Sequence, residues 1–535
     1  MVRSRRMETA QTLFSRGQLI GLGMLAVLVV FAAVMMSLVQ FLQLLLGIII
    51  GFYVLFVGMK AVISVAGARF RFPELTLPNA DDRSLPTYSI LVPLYREVSV
   101  LPNLVKGLQE LRYPVRKLQI LLLLEADDRS MIEAVQAVNL PRHFEVVLVP
   151  VSEPRTKPKA CDVAMGIRWK DSGEVSARLK GERTVIFDGE DVPEPDHLLK
   201  AVASLNYERA KDPRVVCVQA VLKFWNPRSG APSPFYWGEY VVHFKWMLTG
   251  MVKLGLIPPL GGTSNHFLTS ALLEVARNYP PTLLRETTTG RQFEIASVWD
   301  AYNVTEDADL AARLARLGYR IAMTNALTLE EAPNRLRTAR NQRSRWQKGY
   351  IQTGSVHTRQ PVHSMRKMGL VRYLAFNFFM LGTPLSLVLN PLMWGLTAFY
   401  ITVRVTHWDS ASLFVEALFS PPVYYIGMIV AVGGNLGLLY QKVTTPLKEG
   451  EYGLGKWLLL TPFWWAFTCL STFKAVSELR PGKRFYWHKT GHGHDQDEVV
   501  KLITSPAPTA LLSGTSGSVP TAMPVLPPQA EPEQR

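Results

Sequence analysis

The sequence predicts an α/β domain built on a doubly wound, mostly parallel sheet and flanked on both sides by transmembrane helices. Two observations lead to this prediction. Long uncharged stretches lie near both ends of the 535-residue chain, and short apolar runs alternate with helical patterns between residues 84 and 360. Strands that alternate with helices are typical of a parallel sheet with helices on both faces. The composition agrees, because 48% of the residues are hydrophobic and only 19% are charged, which excludes an intrinsically disordered chain.

The first predicted element is an N-terminal transmembrane hairpin within residues 1–72. Residues 17–59 contain no charged side chain. As one helix they would reach about 65 Å, about twice the hydrocarbon thickness of a bilayer. We therefore predict two helices with a break near residues 40–43. The run is too long for the apolar region of a cleaved signal peptide, which spans about 7–15 residues.

The central domain, residues 84–360, carries acidic clusters at the ends of two predicted strands. The strand-like runs are residues 88–94, 118–124, 144–149 and 184–187. Asp127 and Asp128 follow the second run, whereas Asp188, Glu190 and Asp191 follow the fourth. In open parallel sheets, ligands bind beyond the carboxyl ends of the strands. Carboxylates that meet there repel one another unless a cation lies between them, and hard oxygen ligands suit Mg²⁺ or Mn²⁺. Solvated turn residues are the alternative interpretation.

Two later segments, residues 305–307 and 342–346, each allow a structural and a functional interpretation. Residues 305–307, Thr-Glu-Asp, begin a helical stretch. A purely structural interpretation is that Thr305 is the N-cap of this helix. Residues 342–346, Gln-Arg-Ser-Arg-Trp, lie in a basic helical segment just before the C-terminal apolar runs. This segment alone could be a membrane anchor with an interfacial tryptophan.

Residues 361–478 are predicted to hold an interfacial helix and the C-terminal transmembrane helices. The uncharged runs are residues 373–403, 417–441 and 457–473. Pro384 and Pro391 interrupt the first run, which is either an interfacial helix leading into a span or a tight hairpin. Lys and Arg flank the runs and place both termini and the central domain in the cytoplasm. That orientation needs an even number of crossings after residue 372, so either the first run crosses twice or the third does not cross.

The net charge of +15 does not indicate a nucleic-acid-binding protein. The basic residues cluster at the flanks of the apolar runs, as in cytoplasmic segments of membrane proteins. Three cysteines provide no disulfide framework. Residues 503–535 are rich in Pro, Ala, Ser and Thr and are predicted to be disordered.

The order and spacing of these motifs resemble the membrane-embedded processive glycosyltransferases of family 2, which include cellulose, hyaluronan, chitin and curdlan synthases. The resemblance covers residues 86–355. Residues 157–162 (KPKACD), 261–267 (GGTSNHF), 305–310 (TEDADL) and 486–493 (YWHKTGHG) look closest to a bacterial subgroup that includes phage-adsorption-type inner-membrane glycosyltransferases. The resemblance implies a GT-A fold for the central domain.

The resemblance also implies a role for each matching residue. Asp127 or Asp128 would contact the uridine of a UDP-sugar, and Lys159 would lie in the donor-side loop. Asp188 would bind the metal together with Glu190 or Asp191, where the sequence departs from the DxD pattern of the family. Asp307 would be the general base. The acceptor-side residues would be Gln342, Trp346, Gly262, Thr263, Ser264 and His266, with Arg345 near the diphosphate of the donor.

Residues 479–502 resemble the gating loop of cellulose synthase. On that resemblance Lys489 and Thr490 would cover the donor. An amphipathic tail on the membrane surface is the alternative interpretation of this segment.

The function implied is that of a bacterial inner-membrane, metal-dependent, inverting β-glycosyltransferase. It would polymerise hexose from a UDP-hexose into an extracellular polysaccharide, with accessory export subunits as further partners. One alternative is a glycolipid synthase that transfers one hexose to diacylglycerol or a polyprenyl phosphate. A second is a non-catalytic receptor or assembly subunit, in keeping with the departure at Glu190.

Overall fold

The computed structural model describes residues 8–485, without the side chains of Asp409 and Ser410. Most of the predicted gating segment, with Lys489 and Thr490, and the whole predicted tail over residues 503–535 lie outside the described residues.

An eight-stranded sheet forms the centre of the domain over residues 84–360, in the order β3-β2-β1-β6-β9-β8-β12-β7. Strands β1, β2, β3 and β6 run parallel to one another, and β8 is parallel to β12. Only β9 and β7 pair antiparallel with their neighbours. The predicted doubly wound, mostly parallel sheet of a GT-A-like fold is therefore confirmed. The strands of this sheet are β1 Tyr88–Leu94, β2 Leu118–Glu125, β3 Phe144–Val149, β6 Arg183–Ile186, β7 Val192–Pro193, β8 Val215–Phe224, β9 Asn265–Leu268 and β12 Arg320–Glu330.

A second, antiparallel sheet has the order β10-β11-β4-β5. Its strands are β4 Ile167–Trp169, β5 Val175–Ser176, β10 Thr282–Arg285 and β11 Gln292–Ile295.

Helices cover both faces of the main sheet and continue into the apolar segments. In chain order they are α1 Arg16–Met35, α2 Leu38–Ala68, α3 Leu101–Gln109, α4 Arg129–Ala137, α5 Lys157–Met165, α6 His197–Lys211, α7 Ser233–Val242, α8 Thr249–Lys253, α9 Thr269–Asn278, α10 Glu306–Arg316, α11 Leu336–His357, α12 Pro361–Met368, α13 Leu370–Thr406, α14 Asp409–Leu418, α15 Pro421–Met428, α16 Asn435–Lys448, α17 Gly455–Leu458 and α18 Thr461–Glu478. A π-helical turn joins α7 to α8, and another joins α15 to α16.

The strands are apolar on both faces because the sheet is buried on both. Successive side chains of a strand point to opposite faces. Accordingly, Leu91 of β1 joins one core cluster, while its neighbours Ile90 and Val92 join the other. This explains why β1 and β2 read as continuous apolar runs rather than alternating ones.

Four helical stretches in the described part of the chain are long and apolar enough to cross a membrane: α1, α2, α13 and residues 421–448. The N-terminal hairpin turns at residues 36–37 rather than at the predicted 40–43. Ser37 caps α2 by accepting a hydrogen bond from the backbone N–H of Gln40, whose side chain bonds back to the N–H of Ser37. This reciprocal capping box starts a helix at the serine and places Gln40 inside it.

The first C-terminal run is one continuous helix, α13, and contains both Pro384 and Pro391. The hairpin interpretation is therefore wrong. Helix α12 is a separate short helix that ends at Gly369, where φ is 89°. The third predicted run forms α18, which is not among the four candidate spans and packs against α11 and α13. Two candidate crossings thus follow residue 369, an even number.

Helix α2 contacts the α7–α8 region directly through two glycines. A Cβ atom on Gly67 would overlap the carbonyl oxygen of Trp246, and a Cβ atom on Gly250 would overlap that of Ile63. The two backbones approach this closely only because neither residue has a side chain. This contact sets the position of the second apolar helix relative to the sheet domain.

We expect Gly67→Ala to destabilise the protein by about 1–3 kcal/mol, because the backbone of Trp246 would have to move away. The thermal unfolding midpoint of purified protein in detergent measures this. Gly58→Ala in the same helix is the matched control, since a Cβ atom there has no neighbour within 4 Å. Equal midpoints for the two variants would contradict the close contact.

Candidate active site

The carboxyl ends of the parallel strands open onto one cavity of about 840 Å³. Arg96 follows β1, Glu125 ends β2, Asp188 follows β6 and Glu330 ends β12, and all four line this cavity. The cavity continues past α10 and α11 to side chains of α2, α13, α16 and α18. The site therefore joins the edge of the sheet to the apolar helices.

The acidic cluster after β6 divides into exposed and buried carboxylates. Asp188 and Glu190 line the cavity, whereas Asp191 is buried. The Oδ2 atom of Asp191 accepts hydrogen bonds from the backbone N–H of Asp188, at 2.7 Å, and from the hydroxyl of Thr263. Asp191 thus shapes the loop from inside, and its Oδ1 is buried without a hydrogen-bond partner among the described residues.

Like charges accumulate around Asp188. Burial raises the pKa of Glu330, and the nearby carboxylates of Glu190 and Asp188 raise it further. Burial and Asp188 likewise raise the pKa of Asp191. Such repulsion is relieved by a cation, so the donor set of Asp188 and Glu190 fits a divalent ion.

The described residues contain no group of three or more His, Cys, Asp or Glu side chains arranged as a metal cage. This agrees with the usual coordination of Mg²⁺, which takes one or two protein carboxylates and fills its other positions with water and phosphate oxygens.

Lys157 lines the cavity, and the sequence analysis did not single it out. Its Nζ forms an ion pair with Asp188 and donates a hydrogen bond to the carbonyl oxygen of Gly262 at 2.7 Å. Burial lowers the pKa of Lys157, but Asp188 and Glu306 beside it raise the pKa above its ordinary value overall. Lys157 is therefore protonated and supplies a positive charge beside the cavity carboxylates.

Lys159, which we predicted as the donor-side lysine, faces the core instead. Its Nζ lies 2.8 Å from Glu125 Oε1 and also donates to the carbonyl oxygens of Pro150 and Ser152. It is fully buried and does not line the cavity. The two lysines are two residues apart on α5, so they point to different sides of the helix.

Asp127 and Asp128 do not line the cavity, but each contacts an arginine that does. Asp128 caps α4, and its Oδ2 accepts the backbone N–H of Arg96 at 2.5 Å. Asp127 forms an ion pair with Arg155 at 2.8 Å. Arg96 and Arg155 line the cavity, but neither aspartate does. The hydrogen bond from the backbone N–H of Arg96 to Asp128 stabilises the left-handed backbone conformation of Arg96, whose φ is 54°.

Asp307 lies in the first turn of α10 and lines the same cavity as Asp188. Burial raises the pKa of Asp307 to about 6, although the backbone N–H of Ala308 and the positive charge of Lys157 oppose this rise. Burial and Asp307 raise the pKa of the adjacent Glu306. A carboxylate with a pKa near neutrality is suited to take up a proton.

The predicted capping role of Thr305 is not observed. Its side chain makes no cap hydrogen bond and instead lies 3.3 Å from the hydroxyl of Thr353 on α11. A Cβ atom on Gly349 of α11 would overlap the Thr305 side chain. Helix α11 therefore lies directly against the start of α10 and positions its own side chains beside Asp307.

Gln342, Arg345 and Trp346 all line the cavity. They occupy positions i, i+3 and i+4 of α11, which share one helix face. The Trp346 ring lies 6.0 Å from the ring of Tyr240, at an angle of 29°. Glu239 on α7 and Arg343 on α11 also line this part and form an ion pair.

The segment over residues 262–266 is divided between the cavity and the core. Gly262 and Thr263 line the cavity. Ser264 is buried and bonds to Thr328 at 2.7 Å, while His266 is buried between Tyr88 and His197, at 3.1 and 3.0 Å. Burial lowers the pKa of His266. These contacts place Ser264 and His266 in the sheet, away from the acceptor path on which we predicted them.

Residues 86–349 match the sequence profile of a family described as glycosyltransferase-like family 2. Among curated proteins, the chain is similar to the probable glycosyltransferase YdaM of Bacillus subtilis (strain 168), with 23% identity over 273 residues, which cover 50% of this chain and 56% of the relative. It is also similar to the probable glucomannan 4-beta-mannosyltransferase 10 of Arabidopsis thaliana, with 24% identity over 55% of this chain and 49% of the relative. The chain thus spans about half the length of the curated relatives it matches.

Among solved structures, the chain is similar to the mannosyltransferase PcManGT from Pyrobaculum calidifontis in complex with GDP-Man and Mn²⁺. The TM-score is 0.46 and the identity 17%, over 82% of this chain and 98% of that one.

The contacts of Lys159 predict a structural role that stability can test. We expect Lys159→Met to cost about 3–5 kcal/mol, because Glu125 would be left buried without its ion-pair partner. Lys180→Met is the control, since Lys180 forms an exposed ion pair with Glu145 worth less than about 1 kcal/mol. Thermal unfolding of both variants measures the difference. An unchanged midpoint for Lys159→Met together with weakened nucleotide binding would instead support the donor-side role.

Proposed function

Because residues 86–349 match a family described as glycosyltransferase-like family 2, we propose that this protein is a membrane-embedded, inverting β-glycosyltransferase that builds a polysaccharide from a UDP-hexose. The observation that carries the proposal is the single cavity of about 840 Å³, which runs from Asp188 past Asp307 to the polar side chains of the apolar helices. Donor, base and exit path can share this one space. The names of the plant relatives, glucomannan 4-beta-mannosyltransferases, support β-linked hexose transfer.

The donor would bind at the sheet edge. Arg96 and Arg155 line that end of the cavity and are held by Asp128 and Asp127, so these aspartates would act on the nucleoside through the two arginines. Asp188 and Glu190 would hold Mg²⁺ or Mn²⁺, which when bound neutralises negative charge on the diphosphate. The Oδ2 atom of Asp191 already accepts hydrogen bonds from Thr263 and from the backbone N–H of Asp188. Glu190 rather than Asp191 would therefore be the second metal ligand.

The reaction would be a direct displacement. The acceptor hydroxyl oxygen attacks the anomeric carbon of the donor as the bond from that carbon to the diphosphate oxygen breaks. The bonding electrons leave with the nucleoside diphosphate, and Asp307 takes the hydroxyl proton. Attack opposite the leaving group inverts an α-linked donor to a β-linked product. Lys157 and Arg345 line the cavity near Asp307 and would offer positive charge to the departing diphosphate.

The acceptor would lie along α11, with Trp346 packed against its terminal sugar. Beyond Trp346 the cavity is lined by Thr383, Ser386, Gln441 and Thr468. Polar side chains on apolar helices are costly against lipid, but they suit a water-filled or sugar-filled path. This lining favours a secreted polymer over a single hexose transferred to a lipid. The basic flanks of the apolar helices support a bacterial inner-membrane location with the sheet domain in the cytoplasm.

The product distinguishes the proposed functions. We expect membranes supplied with radiolabelled UDP-hexoses and Mn²⁺ to accumulate label in ethanol-insoluble polymer, because the cavity continues beyond the acceptor site. Label confined to the chloroform phase would contradict polymer synthesis and favour a glycolipid. No turnover of any sugar nucleotide would favour a non-catalytic subunit.

The role of Asp307 predicts a pH dependence. Only the deprotonated carboxylate accepts a proton, so kcat/KM should fall about tenfold per pH unit below the pKa of about 6 and level off above it. Asp307→Asn should reduce sugar transfer by about 10²–10⁴-fold and abolish this dependence. Asp171→Asn is the control, because Asp171 is exposed and pairs with Arg291. An unchanged acidic limb in Asp307→Asn would exclude Asp307 as the base.

Substitutions at adjacent positions test which carboxylate holds the metal. We expect Glu190→Gln to raise the Mn²⁺ concentration for half-maximal transfer by about tenfold or more. Asp191→Asn should mainly lower the unfolding midpoint, because Asp191 stabilises the loop through Thr263 and the N–H of Asp188. A Mn²⁺ titration and thermal unfolding of each variant give the answer. A shifted Mn²⁺ requirement in Asp191→Asn alone would assign the ligand to Asp191.

A further inference from the structure

The end of the cavity nearest the apolar helices is positively charged. We call this part, lined by α2, α7, α11, α13, α16 and α18, the membrane end. Lys60 of α2, Arg343 of α11 and Lys442 of α16 line it. Among the described residues, Glu239 is the only carboxylate that these helices contribute to the cavity wall.

Glu239 contacts basic side chains of two other helices. Its Oε1 accepts hydrogen bonds from Lys442 Nζ, at 2.9 Å, and from the indole N–H of Trp464, at 3.0 Å. Its Oε2 forms the ion pair with Arg343. One carboxylate therefore contacts two cations and an indole, and the Nε of Arg343 is buried without a hydrogen-bond partner among the described residues.

Lys60 has no carboxylate within ion-pair distance in the described part of the chain. Its ammonium group lies over the ring of Phe56, 4.4 Å from the centroid. Lys60 and Lys442 both lie in stretches apolar enough to cross a membrane. Ionisable side chains in such helices are costly and typically mark a ligand or ion path. The basic side chains that line the membrane end outnumber its carboxylates and suit an anionic ligand.

The other end of the cavity has the opposite excess. Carboxylates predominate there, including Asp188, Glu190, Glu306 and Glu330. The nucleotide phosphates would bind on that side, near Asp188 and Lys157, so they do not account for the cations of the membrane end. The neighbouring hydroxyl and amide groups of Thr383, Ser386 and Gln441 suit a hydroxyl-rich molecule better than an acyl chain.

We propose that the acceptor held in the membrane end is an acidic saccharide, whose carboxylate groups pair with Lys60, Arg343 and Lys442. This inference rests on the proposed function and specifies the class of acceptor: the hexose from the donor would be added to a chain that already contains uronate residues. Charge-assisted hydrogen bonds to carboxylates are the stronger kind, and the partly buried setting limits their screening by salt. The cations would thus select a uronate-containing chain over a neutral one while the hydroxyl groups bind either.

The test is binding of labelled tetrasaccharides to the full-length protein in phosphatidylcholine nanodiscs, measured by fluorescence polarisation. We expect a β-1,4-linked glucuronate tetrasaccharide to bind at least about tenfold more tightly than its neutral glucose counterpart. Lys60→Gln and Lys442→Gln should each weaken binding of the acidic probe by about tenfold and leave the neutral probe unchanged. Lys60→Arg should retain acidic binding, because it keeps the charge. Lys448→Gln, in the same helix as Lys442 but outside the cavity lining, is the control and should bind like the unaltered protein.

Equal affinity for the two tetrasaccharides, or acidic binding that neither Gln variant weakens, would overturn the inference. Adding a polyprenyl phosphate to the nanodiscs separates the other source of anionic charge. The contrary result is that the polyprenyl phosphate displaces the glucuronate probe from protein that retains Lys60 and Lys442, while excess glucuronate fails to displace the polyprenyl phosphate. In that case the site binds a lipid phosphate and the saccharide inference is wrong. Sugar transfer to neutral acceptors without any acidic preference would overturn this inference alone, whereas failure of transfer from every sugar nucleotide would overturn the proposed function.

Discussion

The repulsion among carboxylates at the edge of the sheet is the constraint on which the site depends. Asp188, Glu190 and Glu330 reach the same part of the cavity because their strands are parallel and end together. Burial raises the pKa of Glu330, and the nearby carboxylates of Glu190 and Asp188 raise it further. Lys157 offsets part of this cost through its ion pair with Asp188. The residual negative charge makes the site receptive to a cation, and a cation in turn makes it receptive to a diphosphate.

The same arrangement sets the properties of Asp307. Its carboxylate is buried beside Glu306, yet Lys157 and Arg345 lie close enough to lower its pKa. The balance leaves the pKa near 6 rather than far above neutrality. Helix α10, which carries Asp307, is held at both ends: Gly349 of α11 packs against its start, and near its far end Arg316 forms an ion pair with Glu8, from the segment before the first apolar helix. The position of Asp307 is therefore linked to both flanking regions of the domain.

The sequence predicted the sheet and the residues that directly follow its strands better than the direction of individual side chains. Asp188, Asp307, Gln342, Arg345 and Trp346 line one cavity because strand ends and a single helix face determine where they point. Lys157 and Lys159 could not be separated without knowing which side of α5 faces the sheet. Ser264 and His266 follow the cavity residues Gly262 and Thr263 as the chain enters β9, so their burial depends on where the strand begins, which the sequence alone does not reveal. The turn of the hairpin at Ser37 was predictable in principle, since Ser37 and Gln40 have the spacing of a capping box.

The cavity reaches the apolar helices only because those helices are docked against the sheet domain at short range. The paired glycines Gly67 and Gly250 bring α2 into backbone contact with α8 and the turn before it, and this contact carries Lys60 to the cavity wall. On the opposite wall, Glu239 receives Lys442 from α16 and Trp464 from α18. A carboxylate from the sheet domain thus binds cations and donors from the apolar helices, so the two parts form one continuous surface. On the proposed function, a uronate-containing chain leaving Asp307 would meet a lining that changes from acidic to basic along its path, and this gradient would favour its movement away from the carboxylates and toward the membrane.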